Sequence, residues 1–203
     1  MAWADVTPRA ARPSRALSAA AWSGPPRLGE LALHPGNTEI TFLARLVGVI
    51  AVRGWFEDFE GALRYAEDDP GCSSLWARIR AESIRTGLRV RDSHLRGASY
   101  LDATAHPVIE FRSSAITRRP PYLIVRGVLA LHGATGEEEI RCVSCAADGA
   151  SGGASFVLTG DMVVRRTRYG VGRPSRLLGR LDPSPHLIAD DIRIRMRVHA
   201  DAG

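Results

Sequence analysis

Apolar and polar residues alternate along most of this chain. Ile192, Ile194, Met196 and Val198 interleave with Arg193, Arg195 and Arg197. Leu75, Ala77, Ile79 and Ala81 interleave with Trp76, Arg78, Arg80 and Glu82, and Ile109 and Phe111 flank Glu110. Between Tyr122 and His132 one face takes Leu123, Val125, Gly127, Leu129 and Leu131; from Glu137 to Ala146 one face takes Ile140, Cys142 and Ser144. A period of two predicts strands with one buried and one wet face. Leu28 to Leu33, Thr38 to Ala44 and Phe156 to Arg166 read as further strands. Leu43 to Val52 is almost continuously apolar, and periodicity leaves it open between a strand and a buried helical turn. Turns are signalled at His34-Pro35-Gly36-Asn37, Asp68 to Gly71, Pro120-Pro121, His132 to Gly136 and the glycine-rich Asp148 to Gly153. Val90 to Arg96 suits a short helix, with Asp92 near its start as a cap. About eight strands joined by short turns make an all-β sandwich or an up-and-down barrel, and the pattern alone does not choose.

Composition narrows the chemistry. With 203 residues, 45% of them hydrophobic, one domain with a sizeable core is expected. All 27 basic residues are arginine, so lysine Schiff bases and P-loop lysines are excluded. The net charge of +5 raises a nucleic-acid or anionic-membrane partner. The arginines, however, are spread along the wet faces of strands, so no nucleic-acid face is expected. Three cysteines do not make a disulfide framework. Cys142 and Cys145, three apart in a strand, point to opposite faces, and no second pair completes a zinc site, so no metal and no cofactor are expected. Residues 1–27 are rich in Ala, Arg, Ser and Pro without sustained periodicity. The apolar stretch at residues 19–22 is too short for a signal-peptide core, which predicts a loosely ordered leader, no transmembrane segment and a cytoplasmic location.

The stretch Ser83 to Phe111 carries a resemblance. Ser83, Ile84 and Thr86, then Arg91-Asp92-x-His94-Leu95-Arg96, then Tyr100, Asp102-Ala103 and Pro107 resemble the YceI family of bacterial lipocalin-like antiparallel barrels that bind polyisoprenoid lipids. Gly54, Phe56, Phe59 and Gly61 match that family's G-x-F-x-x-F-x-G run. The hairpin from Leu123 to Thr135 and the run Arg168-Tyr169-Gly170-Val171-Gly172 are also similar to it. The likeness covers residues 28–200 and departs in two places. LALHPGNTEITF replaces the usual aromatic-isoleucine-aspartate start and histidine-serine pair, and a secretory signal common among relatives is not seen.

The resemblance implies a lipocalin-like antiparallel β-barrel of about eight strands over residues 28–203, with one or two short helices, one of them near Leu43 to Val52 closing a barrel end. It implies binding and carriage of an amphiphilic apolar ligand, a polyisoprenoid lipid or isoprenoid quinone, inside the barrel. Arg91, Asp92 and His94 are the head-group candidates, from resemblance and polarity. Phe42, Trp55, Phe56, Phe59, Leu75, Ile79, Ile109, Phe111, Val125 and Leu129 are the pocket candidates. The alternative is a barrel enzyme that folds a small apolar substrate for cyclisation or isomerisation, with His94 or Asp92 as its acid–base group. Asp92 and His94 are two apart and would splay on a helix, which favours structural or pocket-mouth roles for them. A homodimer through a barrel surface is left open.

Three other patterns carry no functional weight. Gly149-Ala150-Ser151-Gly152-Gly153 satisfies G-x-S-x-G but lies between strands, where a nucleophile elbow needs a following helix. Tyr169 to Gly172 lacks the third glycine of a dinucleotide site. His106 before Pro107 is expected to be exposed, and His34, His132 and His186 sit at turns without ligand spacing.

Overall fold

The computed structural model describes residues 30–46, 50–66, 72–148, 154–172 and 187–201. The leader, the Asp68 to Gly71 turn, the Gly149 to Gly153 motif and His186 lie outside these residues. The strands are β1 (Glu30–Leu33), β2 (Thr38–Leu46), β3 (Ile50–Phe56), β4 (Phe59–Arg64), β5 (Ser74–Arg80), β6 (Ile84–Arg85), β7 (Val108–Arg119), β8 (Tyr122–Leu131), β9 (Ala134–Asp148), β10 (Ala154–Arg165) and β11 (Asp191–Asp201). Among the described residues lie also an α-helix, α1 (Arg89–Arg96), and 3-10 turns at Ala81–Ser83 and Arg166–Tyr169.

All neighbouring strands are antiparallel, in the order β1-β4-β5-β7-β8-β9-β10-β11-β2-β3-β6. The row begins with β1, β4 and β5 and finishes with β2, β3 and β6. These are halves of the same three bent strands, joined at His34–Asn37, at Glu57–Asp58 and at the 3-10 turn Ala81–Ser83. Leu33 pairs with Gly61 in one half of the first hairpin, and Thr41 with Trp55 in the other. The two ends of the row therefore meet, and the sheet closes as an up-and-down barrel rather than a sandwich. Closure removes the open edges on which other chains could pair.

The bends are held by their own hydrogen bonds, as backbone groups leaving a ladder require. The Arg80 N–H donates to Asp58 O at 2.9 Å, and Ser83 Oγ donates to Arg80 O at 2.7 Å. The apolar stretch Leu43 to Val52 is strand on both sides of residues 47–49: β2 runs to Leu46 and β3 starts at Ile50. Among the described residues no helix closes the barrel there, which corrects the resemblance; α1 and the loop after it cover the barrel instead. Gly54 is required where it stands, because a Cβ there would collide with the Phe42 ring and the Arg85 carbonyl.

The inward positions divide the interior in two. Leu123, Val125, Leu158 and Val198 are at most 2% exposed and, with Cys142, fill the half of the barrel away from α1. The outer surface carries the charge. Arg193, Arg195 and Arg197 are exposed, and Arg195 meets Asp161 at 2.7 and 3.2 Å. Arg126 and Arg141 share Glu139 at 3.3 Å each. Exposed pairs of this kind contribute about 0–1 kcal/mol and serve mainly to solvate the wall. The two strand cysteines face opposite ways, Cys142 buried and Cys145 exposed. Burial, helped by the Asp161 charge, pushes the Cys142 thiol up to about 12 and makes it inert.

Candidate functional site

The half of the barrel under α1 is hollow. A cavity of about 190 Å³ lies there, bounded by inward residues of β2, β3 and β5 to β11. Its wall alternates along the strands: Ile40, Phe42 and Ala44 on β2; Leu75, Ala77 and Ile79 on β5; Ile192, Ile194 and Met196 on β11. Leu95 of α1, with Tyr100 and Leu101 of the following loop, forms its cover. That loop is folded back by Leu101 N–H donating to Leu95 O at 3.0 Å and Ala103 N–H donating to Arg96 O at 2.9 Å. The Gly172 N–H donates to Ser99 O at 2.9 Å, tying the cover to the segment after β10.

Seven of the ten predicted pocket residues line the cavity: Phe42, Phe56, Leu75, Ile79, Ile109, Phe111 and Leu129. Three do not. Trp55 is 42% exposed on the outer wall, because it neighbours inward Phe56 and adjacent strand residues face opposite ways. Phe59 and Val125 are buried but away from the cavity wall. The cover residues Leu95, Tyr100 and Leu101, and Val171 beyond β10, were missed because they lie outside the alternating runs. Ile192, Ile194 and Met196 did carry a signal, the cleanest period-two run in the chain.

The head-group candidates are placed elsewhere. Arg91, Asp92 and His94 do not line the cavity. Asp92 is 4% exposed and does not cap α1, whose N-cap is Leu88. Its Oδ1 accepts from the Thr86 N–H at 2.8 Å and from the Thr86 hydroxyl. Arg91 donates from Nε to Thr86 Oγ1 and from its Nη2 to Thr86 O, both at 2.8 Å. Together they clamp α1 to β6. His94 is exposed, with its ring edge-on to Tyr100 at 5.3 Å between centroids.

The charged residue on the cavity wall is Arg166, 8% exposed. Its guanidinium donates to the carbonyls of Ile188 (2.8 Å), Val171 (2.9 Å), Ala189 (3.2 Å) and Gly172 (3.2 Å). A buried cation needs such partners, and here they knit the loop after β10 to the segment leading into β11. Next to it, Asp190 accepts from the Thr167 N–H at 2.9 Å and from the Thr167 hydroxyl at 2.7 Å. Burial alone would raise the Asp190 carboxyl, but these bonds and the charges of Arg166 and Arg165 outweigh it and hold the carboxyl below its ordinary value.

A second polar group stands just beyond the cavity wall. Asp102 follows Leu101 and His132 follows Leu131, and these two join His106, with one ligand-capable atom from each within 4.8 Å of the others. The rings of His106 and His132 lie 5.0 Å apart. All three residues are half-buried, which corrects the expectation of an exposed His106; His132 sits at a turn, and the fold rather than a sequence spacing brings it beside the other two.

A YceI-like domain matches residues 31–200, and the chain belongs to the YceI-like family. Among curated relatives, protein YceI of Shigella flexneri is 30% identical over 96 residues, covering 47% of this chain and 50% of that protein. The chain spans about half the length of the curated relatives it matches. Among solved structures, Burkholderia cenocepacia BcnA superposes with a TM-score of 0.67 at 19% identity, covering 80% of this chain and 96% of that one. A polyisoprenoid binding domain from Saccharophagus degradans gives a TM-score of 0.56 at 13% identity, covering 87% and 99%. At these identities the structural likeness establishes the lipocalin-like barrel fold.

Proposed function

We propose that the barrel binds and carries an amphiphilic apolar molecule of the polyisoprenoid or isoprenoid-quinone class. The observation that carries this reading is the hollow half of the barrel, whose wall is apolar from nearly every strand. The Saccharophagus degradans neighbour is a polyisoprenoid binding domain, which supports the ligand class. An apolar cavity of roughly 150 Å³ stays dry and accepts benzene. At about 190 Å³ this one suits one or two five-carbon isoprene units. Each unit contributes about 3–4 kcal/mol at about 0.8 kcal/mol per methylene, before ordering costs. A longer chain would place its terminal units inside and run the remainder past the cover. Arg166 works in this scheme as a tie for the barrel end, since its guanidinium is engaged by carbonyls.

The test is native mass spectrometry of protein purified without detergent, then lipid extraction and titration with a short-chain isoprenoid quinone. One apolar molecule per chain, or saturable uptake at one equivalent, is expected. Protein that carries no apolar molecule and takes up none would overturn the reading.

A further inference from the structure

Asp102, His106 and His132 come from two separate parts of the chain. Asp102 and His106 lie in the loop between α1 and β7, four residues apart and closed by His106 N–H donating to Asp102 O at 2.7 Å. His132 sits in the turn between β8 and β9. From these residues we infer that the protein holds one borderline-soft divalent metal ion, of the zinc class, on His106, His132 and Asp102. The ion's remaining position would be left to water.

Four observations converge on this site. Two imidazoles and a carboxylate form a donor set suited to such ions rather than to magnesium or calcium. Second, His132 is already oriented. Its Nδ1 lies 3.1 Å from Tyr169 O, and a carbonyl can only accept, so Nδ1 is the donor and Nε2 is the nitrogen left for a metal. A backbone carbonyl behind the imidazole is the usual partner that fixes a metal-binding histidine. Third, among the described residues no hydrogen bond or salt bridge engages the Asp102 carboxylate, although the residue is half-buried. Fourth, the backbone bends to make the cluster. Asp102 and His132 have φ of 44° and 51° and are the positive-φ non-glycine residues of the described chain. Gly133, at φ 73°, leaves room for His106, since a Cβ there would stand 2.7 Å from its ring.

The fit requires a small closure. Ligand atoms about 2.1 Å from a tetrahedral ion are about 3.4 Å from each other. The present separations are within 4.8 Å, so side-chain rotations that move the ligand atoms by about an ångström or less complete the sphere.

The experiment uses the full chain stripped with chelator and titrated with Zn²⁺ by calorimetry and with Co²⁺ by visible absorption. One equivalent of each is expected, with Co²⁺ giving the intense bands of low coordination. His106→Gln and His132→Asn should each weaken Zn²⁺ binding at least about a hundredfold, and Asp102→Asn about tenfold or more, while His34→Gln changes nothing. Asparagine tolerates the left-handed backbone at 132, and should that variant not fold, His106→Gln reports on the same site. Absence of binding, or binding that survives both histidine variants, or binding lost on His34→Gln, would overturn the assignment.

Discussion

The two halves of this barrel are built from the same strands and differ in what their inward residues meet. On β8, Leu123 and Val125 are fully packed, whereas Leu129, only 3% exposed to solvent, faces the cavity. On β11, Val198 is sealed in the core, whereas Ile192, Ile194 and Met196 form cavity wall. Leu129 and Met196 are buried like the packed residues, whereas Ile192 and Ile194 are only half-buried, so burial alone separates a plugged interior from a binding one incompletely. What separates them is whether a second side chain occupies the space opposite. The packed half supplies stability; the hollow half leaves apolar surface that only a guest can cover.

That contrast breaks most sharply under truncation. Leu158→Ala in the packed half should cost about 3–4 kcal/mol of stability, because the hole it leaves is lined by rigid neighbours. Leu129→Ala in the hollow half should cost about 2 kcal/mol, since part of its surroundings is already empty. Chemical denaturation of the two variants measures the difference, and equal losses would mean the hollow half is as tightly packed as the other. A smaller effect, read in binding, comes from filling the hollow. Ala77→Phe projects a ring into the cavity, excludes three or four methylenes of any guest and should weaken uptake of a short-chain quinone by about a hundredfold. Thermal unfolding of this variant should stay within a few degrees of the parent; unchanged uptake would show that the guest sits elsewhere.

The smallest expected effect sharpens the comparison at the tie that closes the hollow end. The Asp190 carboxyl is held below its ordinary value in the folded chain, so its bonds to Thr167 stabilise the protein above about pH 4. That contribution fades as pH falls through the depressed folded value. Asp190→Asn should therefore lower stability by about 1 kcal/mol at neutral pH, and the gap to the parent should close on acidification. Denaturant midpoints across an acid series check this, and a gap that widens on acidification would reverse the sign.

Two polar groups near the cover make a parallel contrast. The Asp92 carboxylate is consumed by Thr86, with Arg91 bracing the same residue, whereas the Asp102 carboxylate beside His106 and His132 has no such partner among the described residues. The sequence singled out the first group, because arginine, aspartate and histidine stand together in a recognisable motif. It passed over the second, whose members are 26 residues apart from His106 to His132 and share no spacing.

The sequence by itself left Leu43 to Val52 open between strand and helix, but determined most of the long alternating strands, most of the turns, the helix over Val90 to Arg96 and the arginine-lined outer wall. Each of these follows from local periodicity or turn chemistry, and the motifs around Ser83 to Pro107 placed the chain in its family. Alternation assigns a residue to the inner or outer face, which is enough to set Phe56 inside once Trp55 is outside. It carries no information about depth along the barrel axis. Depth depends on the stagger of strands around the closed sheet. Only the tertiary structure could therefore decide that Leu129 meets a void while Val125 meets a neighbour. The same limit governs the polar groups: whether a carboxylate is spent or available depends on distances through space between residues far apart in the chain.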